Sequence, residues 1–525
     1  MNPLTWFKTG ADQPVIADAA RVRAIYESKR RGVFWTLVIG YSFFYVCRLT
    51  LSVAKKPMID AGVVDAEELG RIGAALLLTY AVGKFVNGFL ADRANIARLM
   101  ATGLLVSAGV VFAFGFAWPV PVLIALWAVN GWFQSMGAAP SGASIAQWFS
   151  NRERGTRYSI WSTAHSIGEG MTFAVTATIV AHYGYRHGFW AAGAVSAVVA
   201  LLMFRLLADR PQTYGLPAVA DYKNDHTQES REPALSVRDA QLEVLKNPYI
   251  WVLGLSCAAI YVSRYGINSW GVIYLQEAKG YPLVSAGVIL FWGKSIETLG
   301  ALSSGIVSDF LFGARRNITT LIYGCINIAG LAIFFSAPST FLATMDPALA
   351  ARLATGPLDA EVRAALHAEG IAVDENTDVR MTERNDDRGV WLLETRGARL
   401  PWTGWRVELA FDHLNVYARH NPVHFLGLAM FGFGLGGLLV FLGGLIAIDI
   451  SSKRAAGAAM GFIGLFAYLG ASAQDWISGA LIQAGRMTQY GAEVHDFHRA
   501  SMFWLGSAVF SLALYLSLWR VKARD

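Results

Sequence analysis

Residues 88–93 read GFLADR and residues 305–309 read GIVSD. Each closes a long apolar run at its polar end, and the two motifs lie about 217 residues apart. A pair of arginines repeats the spacing: Arg48 and Arg264, about 216 residues apart, each interrupt an apolar run. A chain that repeats both a loop motif and a charge within an apolar run reads as two copies of one unit. Duplicated halves with a site between them are a pattern of membrane transport folds.

The runs themselves set the class. Of 525 residues, 54% are hydrophobic and 16% charged, against roughly a quarter charged in soluble chains, and the mean hydropathy is +0.39. About 20 apolar residues cross a hydrocarbon core as a helix. Twelve runs of that kind are expected: 33–54, 70–91, 97–117, 120–148, 158–181, 187–208, 249–274, 284–311, 317–337, 424–448, 456–484 and 500–520. None alternates as a barrel strand does, so helices must satisfy the backbone in lipid. Residues 1–32 are polar and lack an apolar stretch ending in a small-residue cleavage site, so no cleaved signal is expected. Cys47, Cys257 and Cys325 all fall in apolar runs. An odd count without ligand spacing gives neither a disulfide framework nor a metal site.

The net charge of +6 follows from topology and does not argue for nucleic acid. Lys8, Arg21, Arg23, Lys29, Arg30 and Arg31 precede the first run. Basic residues then follow the even-numbered runs: Arg93 and Arg98, Arg152, Arg154 and Arg157, Arg315 and Arg316, Lys453 and Arg454, and Arg520, Lys522 and Arg524. The intervening loops carry fewer, namely Lys55, Lys56, Arg71, Arg186 and Lys279. Positive residues stay cytoplasmic, so both termini are expected there.

The expected organisation is a cytoplasmic segment 1–32, a six-helix bundle 33–208, a cytoplasmic linker 209–248, and a second bundle 249–525 interrupted by an insert. The insert is located by a slipped repeat. Arg152-Glu-Arg154-Gly155 follows the fourth run and Lys453-Arg454-Ala-Ala-Gly457 the tenth, about 302 residues apart, which leaves about 85 extra residues. These fall at 338–423, between 249–337 and 424–525, and read as a small periplasmic domain or, equally, as a partly ordered spacer without a ligand. It holds a candidate helix at 358–369 and strand-like runs at 379–382 and 389–394.

The duplicated GFLADR-type loop resembles the signature of the major facilitator superfamily. Further phrases narrow the likeness: GYSFFYVCRLTLSVAKKPM at 40–58, IWSTAHSIGEG at 160–170, DRPQTYGLPAVADYKND at 209–225, YVSRYGINSWGVIYLQEAKG at 261–280 and KRAAGAAMGFIGLFAYLGAS at 453–472. They resemble the organophosphate:phosphate antiporters, with the linker phrase nearest the glycerol-3-phosphate members. The resemblance covers nearly the whole chain apart from the insert. It implies an all-α membrane protein of twelve helices, two pseudo-symmetric six-helix bundles around a central cavity, and alternating access in a bacterial inner membrane. It implies a small phosphorylated metabolite and inorganic phosphate as partners, a monomer, and no cofactor, metal or catalytic residue.

Residue by residue, Arg48 and Arg264 match the arginines that bind the phosphoryl group, with a snorkelling or structurally paired arginine as the competing reading. A charge deep in a span is costly and faces a cavity, and a planar guanidinium fork suits a phosphate dianion better than an ammonium does. His165 matches a phosphate-binding histidine, although a lone histidine on an apolar helix is more often a satisfied interior residue. Lys84 matches a cavity lysine, with snorkelling to the interface as the competing reading. Tyr41 and Tyr45 share a helix face with Arg48. Tyr265, Trp161 and Tyr468 are further cavity candidates, or plain packing. Asp92, Arg93, Arg154 and Asp309 are assigned to gating, as loop charges that pair in one conformation and part in the other.

The charge pattern departs from the family. Lys294 stands where the family often has glutamate, Glu297 follows three residues later, and Ser269 replaces an acidic residue before Trp270. Lys294 and Glu297 are spaced for an i,i+3 salt bridge, or else Lys294 adds charge to the phosphate site. Glu169, Asp449 and Asp475 are additional intramembrane carboxylates. Two unneutralised arginines would hold back the empty carrier and oblige exchange. Three functions remain open: organophosphate:phosphate antiport, a sugar-phosphate sensor signalling to a histidine kinase, and proton-coupled anion symport. No nucleophile–base motif suggests an enzyme.

Overall fold

The computed structural model describes residues 6–91, 94–224, 237–312, 316–337, 341–344, 364, 378–385, 390–396, 409–412, 415–418, 421–442, 446, 456–489 and 492–519. In the first half, α1 (Ala19–Asp60), α2 (Ala66–Ala91), α3 (Ile96–Phe114), α4 (Val120–Gln134) and α5 (Ala138–Trp148) are followed by α6 (Asn151–Ser162), α7 (Ala164–Met171), α8 (Ala177–Tyr183) and α9 (Tyr185–Leu206). The linker holds α10 (Val219–Lys223) and α11 (Val237–Lys246). The second half has α12 (Pro248–Glu277), α13 (Leu283–Ile306), α14 (Arg316–Ser336), α15 (Pro422–Val440), α16 (Ala456–Ala484) and α17 (His498–Ser517).

Among the described residues, nine helical segments are long and apolar enough to cross a membrane. They coincide with nine of the twelve expected runs. The other three runs are also helical, as α2, α16 and the broken series α6–α8. They carry Lys84 and Asn87, Gln474 and Asp475, and His165 and Glu169 within their spans, and these helices pack along the seam between the halves.

The first helix begins well before the expected residue 33. The Asp18 carboxylate caps it by accepting from the Ala20 and Arg21 amides at 2.9 and 3.2 Å, satisfying donors a helix start leaves open. Arg30 then pairs with Glu27 at 3.0 Å and with Glu153, and Tyr26 stacks on Tyr222 with centroids 4.0 Å apart. The helix therefore extends beyond the apolar run on tertiary support. The fifth run is broken by a π-helical turn at Thr172–Thr176, a feature common near functional sites.

Within 338–423 the described strands are β1 (Phe341–Thr344), β2 (Asp378–Asn385), β3 (Val390–Arg396), β4 (Leu409–Asp412) and β5 (Asn415–Ala418). They form one antiparallel sheet ordered β1-β5-β4-β3-β2. Strands β2 and β3 cover the two strand-like runs; the candidate helix at 358–369 falls, but for residue 364, outside the described residues. A hairpin of β6 (Arg486–Gln489) and β7 (Ala492–His495) joins α16 to α17.

The halves meet closely at the end marked by that hairpin. A side chain at Gly70 would meet the Asp475 carbonyl oxygen at 2.6 Å and the Gly479 Cα at 2.9 Å, so only glycine lets α2 and α16 approach this far. Ala66 donates its amide to Gln483 Oε1 at 3.1 Å. Lys56 pairs with Glu277 at 3.4 Å, and Glu277 also accepts from His495. Lys55, read from the sequence as a loop residue, is instead fully buried within α1. It donates to Ser269 Oγ at 2.9 Å, lies 3.8 Å from Asp475 Oδ1, and sits 3.3 Å from the centre of the Trp270 ring. Two consecutive lysines of one half thus reach two carboxylates of the other.

Candidate functional site

The site is built on α1 and α12, the first helix of each half. Tyr45 and Arg48 lie three residues apart on α1, and Tyr261 and Arg264 three apart on α12, so each tyrosine shares a face with its arginine. The guanidinium carbons sit 4.6 Å from the Tyr45 ring and 5.6 Å from the Tyr261 ring. Arg48 and Arg264 are 4% and 7% exposed, inside the protein and away from lipid.

Arg48 lies in an aromatic cradle. Its guanidinium is also 4.3 Å from the Tyr80 ring, a cation–π contact that takes the place of an ion pair. Nη2 donates to Gln134 Oε1 at 3.4 Å, and Nε and Nη1 are buried without a hydrogen-bond partner. Among the described residues no carboxylate lies within ion-pair distance of Arg48 or of Lys84. Lys84 stands 5.2 Å from the Tyr468 ring, and Tyr468 packs on Tyr80 at 4.4 Å. Tyr41 stacks on Trp161 at 4.7 Å and meets Tyr45 edge-on at 5.5 Å. The Trp161 indole N–H is buried and unpartnered. Tyr265 lies 6.2 Å from Tyr468. A narrow cavity between the halves is lined by Arg48, Ser52, Gly73, Tyr265, Ser269 and Asp475.

Arg264 has a different environment. Nη2 is 3.2 Å from Glu297 Oε1 and 3.8 Å from Glu169 Oε1. Lys294 Nζ is 2.6 Å from Glu297 Oε2 and 3.3 Å from Glu169 Oε2. The i,i+3 pair, one of the two sequence readings of Lys294, is therefore one edge of a closed ring of two cations and two carboxylates. The expectation of two unneutralised arginines holds for Arg48 and not for Arg264, because Glu169 of α7 reaches the ring. His165 joins the two regions. Its ring is 5.8 Å from Tyr45, it interacts electrostatically with Glu169, Arg264 and Glu297, and its Nδ1 contacts the Ser162 carbonyl oxygen. Tyr45 and Tyr468 lie within electrostatic reach of both guanidiniums.

The structure thus brings together Arg48, Lys84, Tyr41, Tyr45, Trp161, His165, Tyr265 and Tyr468, with Arg264, Glu169, Lys294 and Glu297 alongside. Asp475 lies at the closed end with Lys55. Arg154 donates to the Ala146 carbonyl oxygen at 3.1 Å within its own half. Asp92, Arg93 and Asp449, and the side chain of Asp309, lie outside the described residues. Tyr80, Gln134, Tyr261 and Asn268 were not anticipated. Tyr261 had a signal, since YVCR at 45–48 and YVSR at 261–264 are the same phrase at the repeat spacing. Gln134 and Asn268 had none short of knowing which helices meet.

The family model described as Major Facilitator Superfamily matches residues 37–356. The chain is similar to "Membrane sensor protein UhpC" of Salmonella typhimurium, 30% identical with 94% of each chain covered. It is similar to "Probable hexose phosphate transport protein" of Chlamydia muridarum, 27% identical over 88% of this chain and 89% of that one. It is also similar to "Glycerol-3-phosphate transporter" of Haemophilus influenzae, 28% identical over 87% and 86%. Among solved structures, a bacterial homologue of the human lysosomal transporter Spinster, titled inward-facing and unoccupied, matches with a TM-score of 0.62 at 14% identity, covering 94% of this chain and 97% of that one.

Proposed function

We propose, starting from a chain that belongs to the Major Facilitator Superfamily and its organophosphate:phosphate antiporter branch, that it exchanges a small organic phosphate ester for inorganic phosphate by alternating access. The family is one of membrane transporters and not of enzymes. The observation that carries the reading is Arg48: a buried guanidinium with two unpartnered donor atoms and no carboxylate beside it among the described residues. Leaving such a group unmet costs folding free energy, and a phosphate oxygen entering from the cavity would offset that cost. Lys84, Gln134 Nε2 and the Trp161 indole N–H add donors around the same point, and Arg264 approaches from the other half.

The bilayer is the bacterial inner membrane in this reading, with both termini cytoplasmic, the protein a monomer, and 338–423 on the periplasmic side. The closed end at Lys55, Lys56, Asp475 and Glu277 is then periplasmic, and the resting state opens inward. Binding of phosphate draws the halves together around Arg48, and release from the other face completes the exchange.

Counterflow in proteoliposomes tests this. Phosphate-loaded vesicles should take up labelled glycerol 3-phosphate or a hexose phosphate only against internal phosphate. Arg48→Lys keeps the charge but loses the fork and should lower exchange at least about thirtyfold, taking about 2 kcal/mol for charge-assisted hydrogen bonds, at unchanged membrane abundance. Normal exchange by Arg48→Lys would refute the site. The 30% identity to a protein named as a sensor supports a second reading: a sensor would bind the ester without heterologous exchange. Uptake driven by a pH gradient and indifferent to internal phosphate would point to proton symport instead.

A further inference from the structure

The unpartnered buried polar atoms of the central site are segregated by type. Those touching Arg48 are donors: its own Nε and Nη1, and Gln134 Nε2. Those of the Arg264 ring are acceptors, Arg264 Nε apart. Asn268 spends its amide N–H on Glu169 Oε1 at 3.4 Å, which leaves Asn268 Oδ1 buried and open. Glu169 Oε2 and Glu297 Oε1 have ion-pair contacts but no hydrogen bond. A carboxylate oxygen has more than one acceptor site, so this wall needs hydroxyl donors to complete it.

The ring also fixes what it repels. Lys294 touches both carboxylates, and Arg264 does the same with only its Nε left without a partner, so both cations are largely neutralised before another anion arrives. A second negative group on the ligand would enter a space already holding Glu169 and Glu297, and like charges juxtaposed without water are disfavoured. We infer that the site is polar in the ligand's own sense. The phosphoryl group meets the donors around Arg48, while a neutral, hydroxyl-bearing body meets Glu169, Glu297 and Asn268. Glu169 and Glu297 are specificity-determining residues that favour polyol and sugar phosphates and reject phosphate esters bearing a carboxylate. Glu169 comes from α7 and Glu297 from α13, on opposite halves, so the ring also places this choice at the seam that must close on the ligand.

The inference rests on the phosphate-site reading above, and its test separates the two. Binding of glycerol 3-phosphate, glucose 6-phosphate and 3-phosphoglycerate to the purified full chain is measured by ligand-induced melting shift and by competition against labelled phosphate. Wild type should bind 3-phosphoglycerate at least tenfold more weakly than the two hydroxyl esters. Glu169→Gln keeps the shape and leaves the ring one positive charge in excess. It should tighten 3-phosphoglycerate binding in absolute terms and shrink the ratio by about tenfold, or about 1.4 kcal/mol, and Glu169→Asp should restore selectivity. Glu297→Gln gives the same sign and serves if the first variant does not fold. Equal wild-type affinity for all three esters overturns the inference, as does a Glu169→Gln variant that weakens all three in proportion. Selective binding without phosphate exchange would sink the exchange reading and leave this one standing. Exchange without selectivity does the reverse, and binding of no ester overturns both.

Discussion

Asp475→Asn probes the closed end of the molecule through a single charge. In the structure Lys55 and Asp475 are both buried across the seam, 3.8 Å apart, with Ser269 and Trp270 completing the contacts. Asparagine keeps the side-chain volume and an oxygen for the Trp270 indole N–H, which donates at 2.7 Å. What it removes is the counter-charge, and a buried charge left by its partner costs about 3–5 kcal/mol. That cost falls on the closed state, because Lys55 gains water when the halves part. At the lower figure, about 3 kcal/mol, the open fraction rises about a hundredfold. The assay is alkylation of Ser52→Cys, on the wall of the seam cavity, by an impermeant maleimide added from the β6–β7 face, in a background without Cys47, Cys257 and Cys325. The rate should rise by about that factor. The double replacement Lys55→Met with Asp475→Leu should return it towards the starting value, since apolar residues can replace a buried pair at little cost. An unchanged rate in Asp475→Asn, or a double variant as open as the single one, would refute the latch.

Two further outcomes follow from packing and charge. A side chain at Gly436 would strike the Glu297 carbonyl oxygen and come within 2.8 Å of the Ala301 amide, so Gly436→Val should overpack the α13–α15 contact. It should cost about 1–3 kcal/mol, read as a lower melting temperature in detergent, with selectivity among phosphate esters reduced through displacement of Glu297. Lys279, between α12 and α13, donates to the Phe335 and Ala337 carbonyl oxygens, and burial pushes its pKa down to about 8. Folding therefore disfavours its charged form. That penalty is fully present below pH 8 and fades as pH rises towards the unfolded value near 10.5, so stability should climb across this window. The climb should be missing in Lys279→Met; an identical pH profile in the variant would exclude the assignment.

The parts of this fold that a single stretch of chain can encode were readable in advance. Apolar runs give the spans, the repeated GFLADR and GIVSD loops give the two halves, and a charge in mid-span marks Arg48 and Arg264 as interior. Even the i,i+3 edge between Lys294 and Glu297 needs only one helix. The remaining features depend on which helices face one another, and that information is spread over α1, α7, α12, α13 and α16. Lys55 reads as a loop residue when basic residues are assigned to loops by position. Asp475, over 400 residues further on, is what allows it to be buried. Glu169 likewise looks like an isolated carboxylate until α7 meets α12 and α13, and then it changes the meaning of Arg264 from a free cation to a neutralised one.

That change bears directly on how the two halves divide the work. Sequence symmetry suggests two equivalent arginines, yet their surroundings are unequal: tyrosines and amides around Arg48, carboxylates around Arg264. A permanently charged guanidinium over aromatic faces retains most of its pull on an anion, because cation–π contacts are worth about 0.5–2 kcal/mol. One already engaged by two carboxylates must surrender a contact before it can bind. In the proposed exchange Arg48 is thus the primary anchor, and Arg264 the group whose recruitment depends on the ligand displacing Glu297 or Glu169. In that reading closure requires a ligand strong enough to reorganise the ring, because in the empty carrier Glu169 already ties the halves to Arg264 and Lys294 while Arg48 stays unmet.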